Sequence, residues 1–189
     1  MSCSSLLPLP YRGFVLLCFV LTSTSCSNDP IVPTVKWDFS KGHTIDLVNW
    51  PEEMEDEDGL AQLQGGDRQV VVRLAGDLEY RAITEAIYAR KSGDRLSTLL
   101  FIHKPGSLES CILVSKKILD DFGYTAEALD DWRSDLSEEA DATPPFEKYY
   151  QSNLYRINLR IQSTYSKTEP FQIMLKLYLA PPGEDNDAS

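Results

Sequence analysis

Histidines, which serve most often in acid–base and metal chemistry, are few in this sequence and lie far apart. It contains two histidines, His43 and His103, on separate predicted strands. Metal centres need several ligands at short, defined spacings, and the sequence has no HExxH, nucleophile-elbow or phosphate-loop pattern. We expect both histidines to be partly exposed strand residues. The sequence therefore predicts no metal site, no cofactor and no catalytic residue, and it favours a protein that is not an enzyme.

The densest group of carboxylates is the run EEMEDEDG, which could bind a hard cation. An EF-hand does not fit it: with Gly59 at the conserved glycine position, Met54 and Gly65 would occupy the first and last ligand positions. A looser calcium site using Asp56 and Asp58 is the alternative. We expect instead a solvated acidic loop, because runs of like charge usually face water.

Aromatic residues are the remaining candidates for a binding surface. Trp and Tyr anchor many interfaces because each combines a large apolar body with a polar tip. We predict that Trp37 and Trp132 belong to the core. Trp50, which precedes a proline in a predicted loop, and the pair Tyr149 and Tyr150 are predicted to form an exposed binding site for a protein or a carbohydrate.

Residues 1–25 have the order of a secretory signal peptide. Arg12 is followed by the apolar run GFVLLCFVL and then by the small polar residues TSTS. The apolar run is too short to span a bilayer comfortably. We therefore expect this segment to be removed by cleavage.

The residues STSC that end at Cys26 resemble the lipobox of bacterial lipoproteins of the Bacteroidota type. The resemblance covers only the leader and the first residues after it, and Ser23 stands where an apolar residue is usual. It implies that Cys26 is acylated, becomes the new N-terminus and attaches the protein to the outer membrane of the cell envelope, with Asp29 loosely similar to a surface-export signal. The alternative is an ordinary secreted protein in which Cys26 is a free or disulfide-bonded thiol. If Cys26 is acylated, Cys111 is best explained as a small buried hydrophobic residue.

Alternating apolar residues predict strands over most of the remaining chain. The clearest are LYRINLRIQS and FQIMLKLYLA, in which every second residue is apolar. VKWDFS and QVVVRLAG are also predicted strands. In LEYRAITEAIYARK, Ile83 and Ile87 fit a helical stripe whereas the alternating residues fit a strand, and its Tyr, Ile and Thr favour the strand. LSTLLFIH and LESCILVS flank the turn KPGS, whose Pro105 and Gly106 fit a type II turn, so they are predicted to form a β-hairpin. One amphipathic helix is predicted in TAEALDDWRSDL, and SEEADATPPFEKYYQ is predicted to be a loop.

These elements favour an all-β fold, an antiparallel β-sandwich of the immunoglobulin or transthyretin type with one short helix. An α+β sheet with a helix on one face is the alternative. We expect a lipidated linker at residues 26–34, a single β-rich domain at 35–180 and an acidic tail at 181–189.

The charge balance limits the partners. The chain has 18 Lys and Arg against 29 Asp and Glu, a net charge of -11. This balance argues against non-specific binding of nucleic acid, which needs cations to neutralise phosphates, so we expect no nucleic-acid partner. We expect a lipid-anchored, non-enzymatic envelope lipoprotein that binds a protein or a carbohydrate. The alternatives are an envelope hydrolase with an unrecognised carboxylate site and a structural subunit whose C-terminal strands join another subunit's sheet.

Overall fold

The computed structural model describes residues 33–44, 55–57, 60–63, 66–136, 143–168 and 170–179. All of them belong to one compact unit, Val32–Ser189. The predicted signal peptide, Cys26, Trp50, Asp58 and the acidic tail lie outside the described residues.

The described part of the chain contains ten strands and two α-helices. In chain order the elements are β1 (Thr34–Asp38), β2 (Glu55–Glu57), β3 (Leu60–Leu63), β4 (Arg68–Arg73), β5 (Glu79–Thr84), β6 (Ala86–Ser92), β7 (Arg95–His103), α1 (Leu108–Asp121), α2 (Glu127–Ser134), β8 (Phe146–Gln151), β9 (Arg156–Ser163) and β10 (Phe171–Tyr178). The predicted β-rich fold is confirmed.

The larger sheet has seven strands in the order β2-β3-β6-β7-β10-β9-β8, and all its pairings are antiparallel. Its central strands alternate as the sequence predicts, with one apolar face buried and one mostly polar face directed outward. The buried side chains include Phe101 of β7, Leu159 of β9 and Leu175 of β10. The two C-terminal strands, β9 and β10, are therefore internal strands, and β8 and β2 form the two edges of the sheet.

The smaller sheet has three strands in the order β1-β4-β5. Strands β4 and β5 are antiparallel, whereas β1 runs parallel to β4, with Trp37 opposite Val72. The prediction of purely antiparallel strands is wrong at this pair. The side chains of Val35, Trp37, Val72 and Tyr80 on one face of this sheet are buried.

Both sheets and both helices contribute to a single hydrophobic core. Helix α1 buries Cys111, Ile118 and Leu119, and α2 buries Leu129. The rings of Trp132 and Phe146 lie 5.5 Å apart. The core position of Trp37 is confirmed, and Trp132 is half-buried against the same core.

The predicted hairpin around KPGS is wrong. Gly106 has the expected positive φ of 86°, but the chain after it enters α1 instead of a strand. Ser107 caps this helix, because its side-chain oxygen accepts a hydrogen bond from the backbone N–H of Ser110 at 3.1 Å. Cys111 is thus a buried residue of a helix, not of a strand, and it has no disulfide partner in the described part of the chain.

Two predicted loops also contain strands. FEKYYQ, assigned to a loop because two prolines precede it, forms β8 and pairs with β9 from Phe146 opposite Ile161 to Gln151 opposite Arg156. Within the acidic run, Glu55–Glu57 forms the short strand β2. Both are edge strands, which often carry charged residues.

The fold class is therefore β-rich with two sheets and two helices, where one helix was predicted. The helix in TAEALDDWRSDL is confirmed as α2, and α1 is the additional one. The immunoglobulin- or transthyretin-like arrangement stays a prediction.

Candidate functional site

The outward face of the seven-stranded sheet carries a row of residues aligned across five strands. The strand register places Tyr88 opposite Leu100, Leu100 opposite Lys176, Lys176 opposite Asn158 and Asn158 opposite Tyr149. Neighbouring strands lie about 4.8 Å apart, so four steps separate the two tyrosines by roughly 19 Å along the sheet. The row therefore has an aromatic ring at each end and an ammonium group near its middle.

This row forms the floor of a groove with a volume of about 520 Å³. Its walls come from the rows on either side, so β6, β7, β8, β9 and β10 all contribute. The lining residues are Tyr88, Arg90, Thr98, Leu100, Glu147, Tyr149, Asn158, Arg160, Met174 and Lys176. A concave site that combines aromatic, aliphatic and a few convergent polar groups is typical of ligand-binding sites.

The groove is positively charged although the chain is acidic. Its described lining has three cations, Arg90, Arg160 and Lys176, and one carboxylate, Glu147, whereas the whole chain has a net charge of -11. Clustered charge of one sign inside a concavity concentrates the local field. The groove therefore attracts negative charge although the net charge of the chain is negative.

The single carboxylate of the lining is held by its neighbours. Glu147 accepts a hydrogen bond from the side-chain amide of Asn158 at 2.9 Å. Its other carboxylate oxygen lies 3.8 Å from a terminal nitrogen of Arg160. This pair is about half exposed, so it adds little stability. It places Glu147 beside Arg160, so the described lining has two further cations, Arg90 and Lys176, and no second carboxylate to balance them.

The ammonium group of Lys176 is also positioned. Its Nζ lies 4.8 Å from the centre of the Tyr178 ring, and the guanidinium carbon of Arg156 lies 5.1 Å from the same ring. A cation over an aromatic face within about 6 Å is attracted by the ring quadrupole. Lys176 thus presents its charge on the outward face of the sheet.

Two of the predicted aromatic binding residues, Tyr149 and Tyr150, lie on opposite faces of β8. Tyr149 lines the groove with 67% of its surface exposed. Tyr150 points to the other face of β8 and packs its ring 5.2 Å from that of Tyr124, and burial raises the pKa of its phenol. Trp50 lies outside the described residues. Only Tyr149 of the three is placed at the groove by the described structure.

His103 occupies an environment different from the expected one. It is buried, not partly exposed, and its Nδ1 donates a hydrogen bond to the carbonyl oxygen of Ile83 at 2.7 Å. Desolvation lowers the pKa of the imidazole and so favours its neutral form. In this form Nε2 accepts a hydrogen bond from the Tyr80 hydroxyl at 3.0 Å. The same burial raises the pKa of the Tyr80 phenol. The pair joins β5 of the small sheet to β7 of the large sheet and lies within the core.

Sequence reasoning missed the cations of the groove. The signal was present in the polar positions of the two C-terminal strands, where Arg156, Asn158, Arg160 and Lys176 alternate with the apolar residues. Asp and Glu outnumber Lys and Arg in the chain, yet these positions hold cations and an amide. A charge bias confined to one strand face is therefore the signal that could have indicated this groove.

Within the described ranges, no three His, Cys, Asp or Glu side chains are close enough to hold a metal ion. Asp58 of the suggested calcium site lies outside those ranges. None of the described helices is long and apolar enough to cross a membrane.

Comparison with known proteins gives no match: no family model, no curated protein and no solved structure is similar to this chain. The groove itself is therefore the basis for a functional proposal.

Proposed function

We propose that this protein is a non-enzymatic binding module of the bacterial cell envelope and that the groove on the seven-stranded sheet is its binding surface. One observation carries the proposal: the outward positions of five adjacent strands form a concave surface of mixed aromatic, cationic and amide character. A sheet face that serves only to contact water needs neither concavity nor a cluster of one sign of charge. The ligand is a carbohydrate or a protein segment that lies across the strands.

The lipid anchor at Cys26 is the second part of the proposal. It is supported by the order of charged, apolar and small residues in the leader and by the resemblance of STSC to a lipobox. Each buried methylene of an acyl chain contributes about 0.8 kcal/mol, so more than one chain gives stable attachment to a membrane. The groove would then be presented outside the inner membrane.

The two alternative functions, an envelope hydrolase and a subunit of a surface assembly, fit the described residues less well. Hydrolysis by paired carboxylates requires two such groups flanking the reacting bond. The described lining of the groove contains one carboxylate, that of Glu147. Strand donation by the C-terminus requires an unpaired strand, whereas β10 pairs with β7 and β9. No observation on the described residues favours either alternative.

The proposal is tested by presenting the full-length protein to arrays of defined glycans and peptides. Three forms are compared: wild type, Tyr149→Ala and the matched variant Tyr165→Ala. Tyr165 is a fully exposed tyrosine in the β9–β10 connection, outside the groove lining. We expect array ligands that bind wild type and Tyr165→Ala and are lost by Tyr149→Ala. Absence of any bound ligand, or equal binding by all three forms, would contradict the groove as a binding surface.

A further inference from the structure

The lining of the groove restricts the chemistry of its ligand. We propose that the groove binds an acidic oligosaccharide, a chain of sugar units that carry carboxylate groups. This inference rests on the proposed function, since it identifies the ligand class of the same surface. It depends on the charge of the lining, on the pairing of the strands beneath it and on the placement of the tyrosines.

Charge complementarity selects an anionic ligand. Arg160 and Glu147 form one ion pair, so Arg90 and Lys176 supply the excess positive charge. Among the side chains that the structure describes, no carboxylate forms an ion pair with either of them. A ligand carboxylate bound there gains charge-assisted hydrogen bonds, which are about twice as strong as neutral ones. The chain as a whole, with a net charge of -11, offers such a ligand no general attraction.

The pairing of the strands argues for a saccharide over a peptide. Extended peptides bind sheets chiefly by adding a strand to an open edge, through backbone hydrogen bonds. Strands β6, β7, β10 and β9 are each paired on both sides, so their backbone groups are engaged within the sheet. Only β8, at one end of the groove, is an edge strand. Recognition along the groove must therefore use side chains, which suits a ligand that brings its own hydroxyl and carboxylate groups.

The tyrosines and the polar groups between them fit the same class. Tyr149 stands exposed at one end of the cross-strand row and Tyr88 lies at the other end, roughly 19 Å away by strand spacing. An aromatic face can cover the apolar side of a sugar ring while the ring hydroxyls meet polar neighbours. The amide of Asn158 and the hydroxyl of Thr98 provide such neighbours between the cations. A chain of several sugar units spans the distance from ring to ring.

The experiment is isothermal titration calorimetry of the full-length protein, purified in detergent, with short oligogalacturonides as the probe. The same oligosaccharides with methyl-esterified carboxylates provide a neutral ligand of nearly the same shape. Lys176→Gln removes one cation from the groove. Lys36→Gln removes an equivalent charge from an exposed position of β1 in the other sheet and serves as the matched control.

We expect the oligogalacturonide to bind wild type and Lys36→Gln equally. Lys176→Gln should bind it roughly tenfold more weakly, as expected for the loss of one charge-assisted contact, and the double variant Arg90→Gln/Lys176→Gln weaker still. The methyl ester should lose at least as much affinity on wild type as the acid loses on Lys176→Gln. Added salt should weaken binding of the acid, because screening acts on partly exposed charges.

Three results would overturn the proposal. They are equal affinity for the acid and its methyl ester, equal loss of affinity in Lys36→Gln and Lys176→Gln, and equal or tighter binding of poly-glutamate or single-stranded DNA. Failure of this inference is distinguishable from failure of the proposed function. If neutral glycans or peptides bind and depend on Tyr149 but not on Lys176, the groove is a binding surface with another ligand class. If nothing bound depends on Tyr149, both fail.

Discussion

At the scale of single residues, the hydrogen bonds of His103 connect the two sheets. Its Nδ1 donates to the Ile83 carbonyl and its Nε2 accepts from the Tyr80 hydroxyl, and both His103 and Tyr80 are buried. A protonated imidazole would have to donate from Nε2 as well, so the Tyr80 hydroxyl would have to accept and turn its own hydrogen away from this hydrogen bond. The buried site therefore favours the neutral form.

This geometry predicts a pH dependence of stability. The pKa of His103 is lowered in the fold from 6.5, so on acidification the unfolded chain takes up a proton first. The contribution of neutral His103 to the free energy of unfolding is complete above pH 6.5 and is lost as the pH falls from there towards the folded-state pKa. Over that range the free energy of unfolding changes by up to about 1.4 kcal/mol per pH unit. Urea unfolding of wild type and His103→Gln between about pH 7.5 and about pH 5 measures the difference. We expect the free energy of unfolding to fall more steeply for wild type. Parallel curves would show that His103 does not titrate differently in the two states.

Residue burial was predictable where the pattern was strong and not where tertiary contacts decide it. Leu159 and Leu175 are buried as their alternation indicates. His103 was expected to be partly exposed and Tyr150 to be exposed, but each lies on the inward face of its strand. There His103 contacts Tyr80 of the other sheet. Tyr150 contacts Tyr124 of the α1–α2 connection. No local pattern reveals which polar side chain finds a buried partner.

At the scale of elements, α1 shows how a helix can be mistaken for a strand. The segment ESCILVS is rich in residues that favour strands, and on its own it matches a short apolar run. The helical pattern becomes visible only over a longer window, because Cys111, Ser115, Ile118 and Leu119 recur at helical spacings and are buried together. Burial of this face, not intrinsic propensity, stabilises the helix.

The start of α1 gives a prediction at this scale. Ser107→Ala removes the acceptor for the Ser110 N–H, a 3.1 Å hydrogen bond, and should lower the free energy of unfolding by about 1 kcal/mol. Ser107→Asp retains an acceptor and places a negative charge at the helix N-terminus, so it should remain close to wild type. Urea denaturation monitored by circular dichroism gives both values. Equal losses in the two variants would mean that the cap does not stabilise the helix.

The order of the strands explains why the groove could not be predicted from the sequence. Its central row joins residues from strands that are distant in sequence, from Tyr88 in β6 to Lys176 in β10, and their alignment depends on a strand order that the sequence does not reveal. Strand β8 was also predicted to be a loop, so Tyr149 could not be assigned to a sheet face. What the sequence did provide was the identity of Tyr149 as an exposed aromatic candidate.

At the scale of the whole molecule, the proposed protein combines a binding domain with a membrane anchor. We expect the chain isolated from the membrane fraction to begin at Cys26 and to carry added acyl mass. Cys26→Ala should abolish both the acyl mass and the membrane association, since each acyl methylene contributes about 0.8 kcal/mol of membrane binding. Intact-mass analysis of the two forms makes the comparison. If both forms appear as the same unmodified chain in the soluble fraction, Cys26 is a free or disulfide-bonded thiol and the protein is secreted.

The outward face of the seven-stranded sheet is proposed to bind the ligand. Hydroxyl-radical footprinting of the unmutated protein tests this proposal most directly. Tyr149 in the groove and Tyr165 outside it are both exposed, so each reports on its own surface in one experiment. With saturating oligogalacturonide, we expect oxidation of Tyr149 to fall several-fold and oxidation of Tyr165 to stay unchanged. Bound ligand that leaves Tyr149 fully reactive would contradict the account and place the binding surface elsewhere.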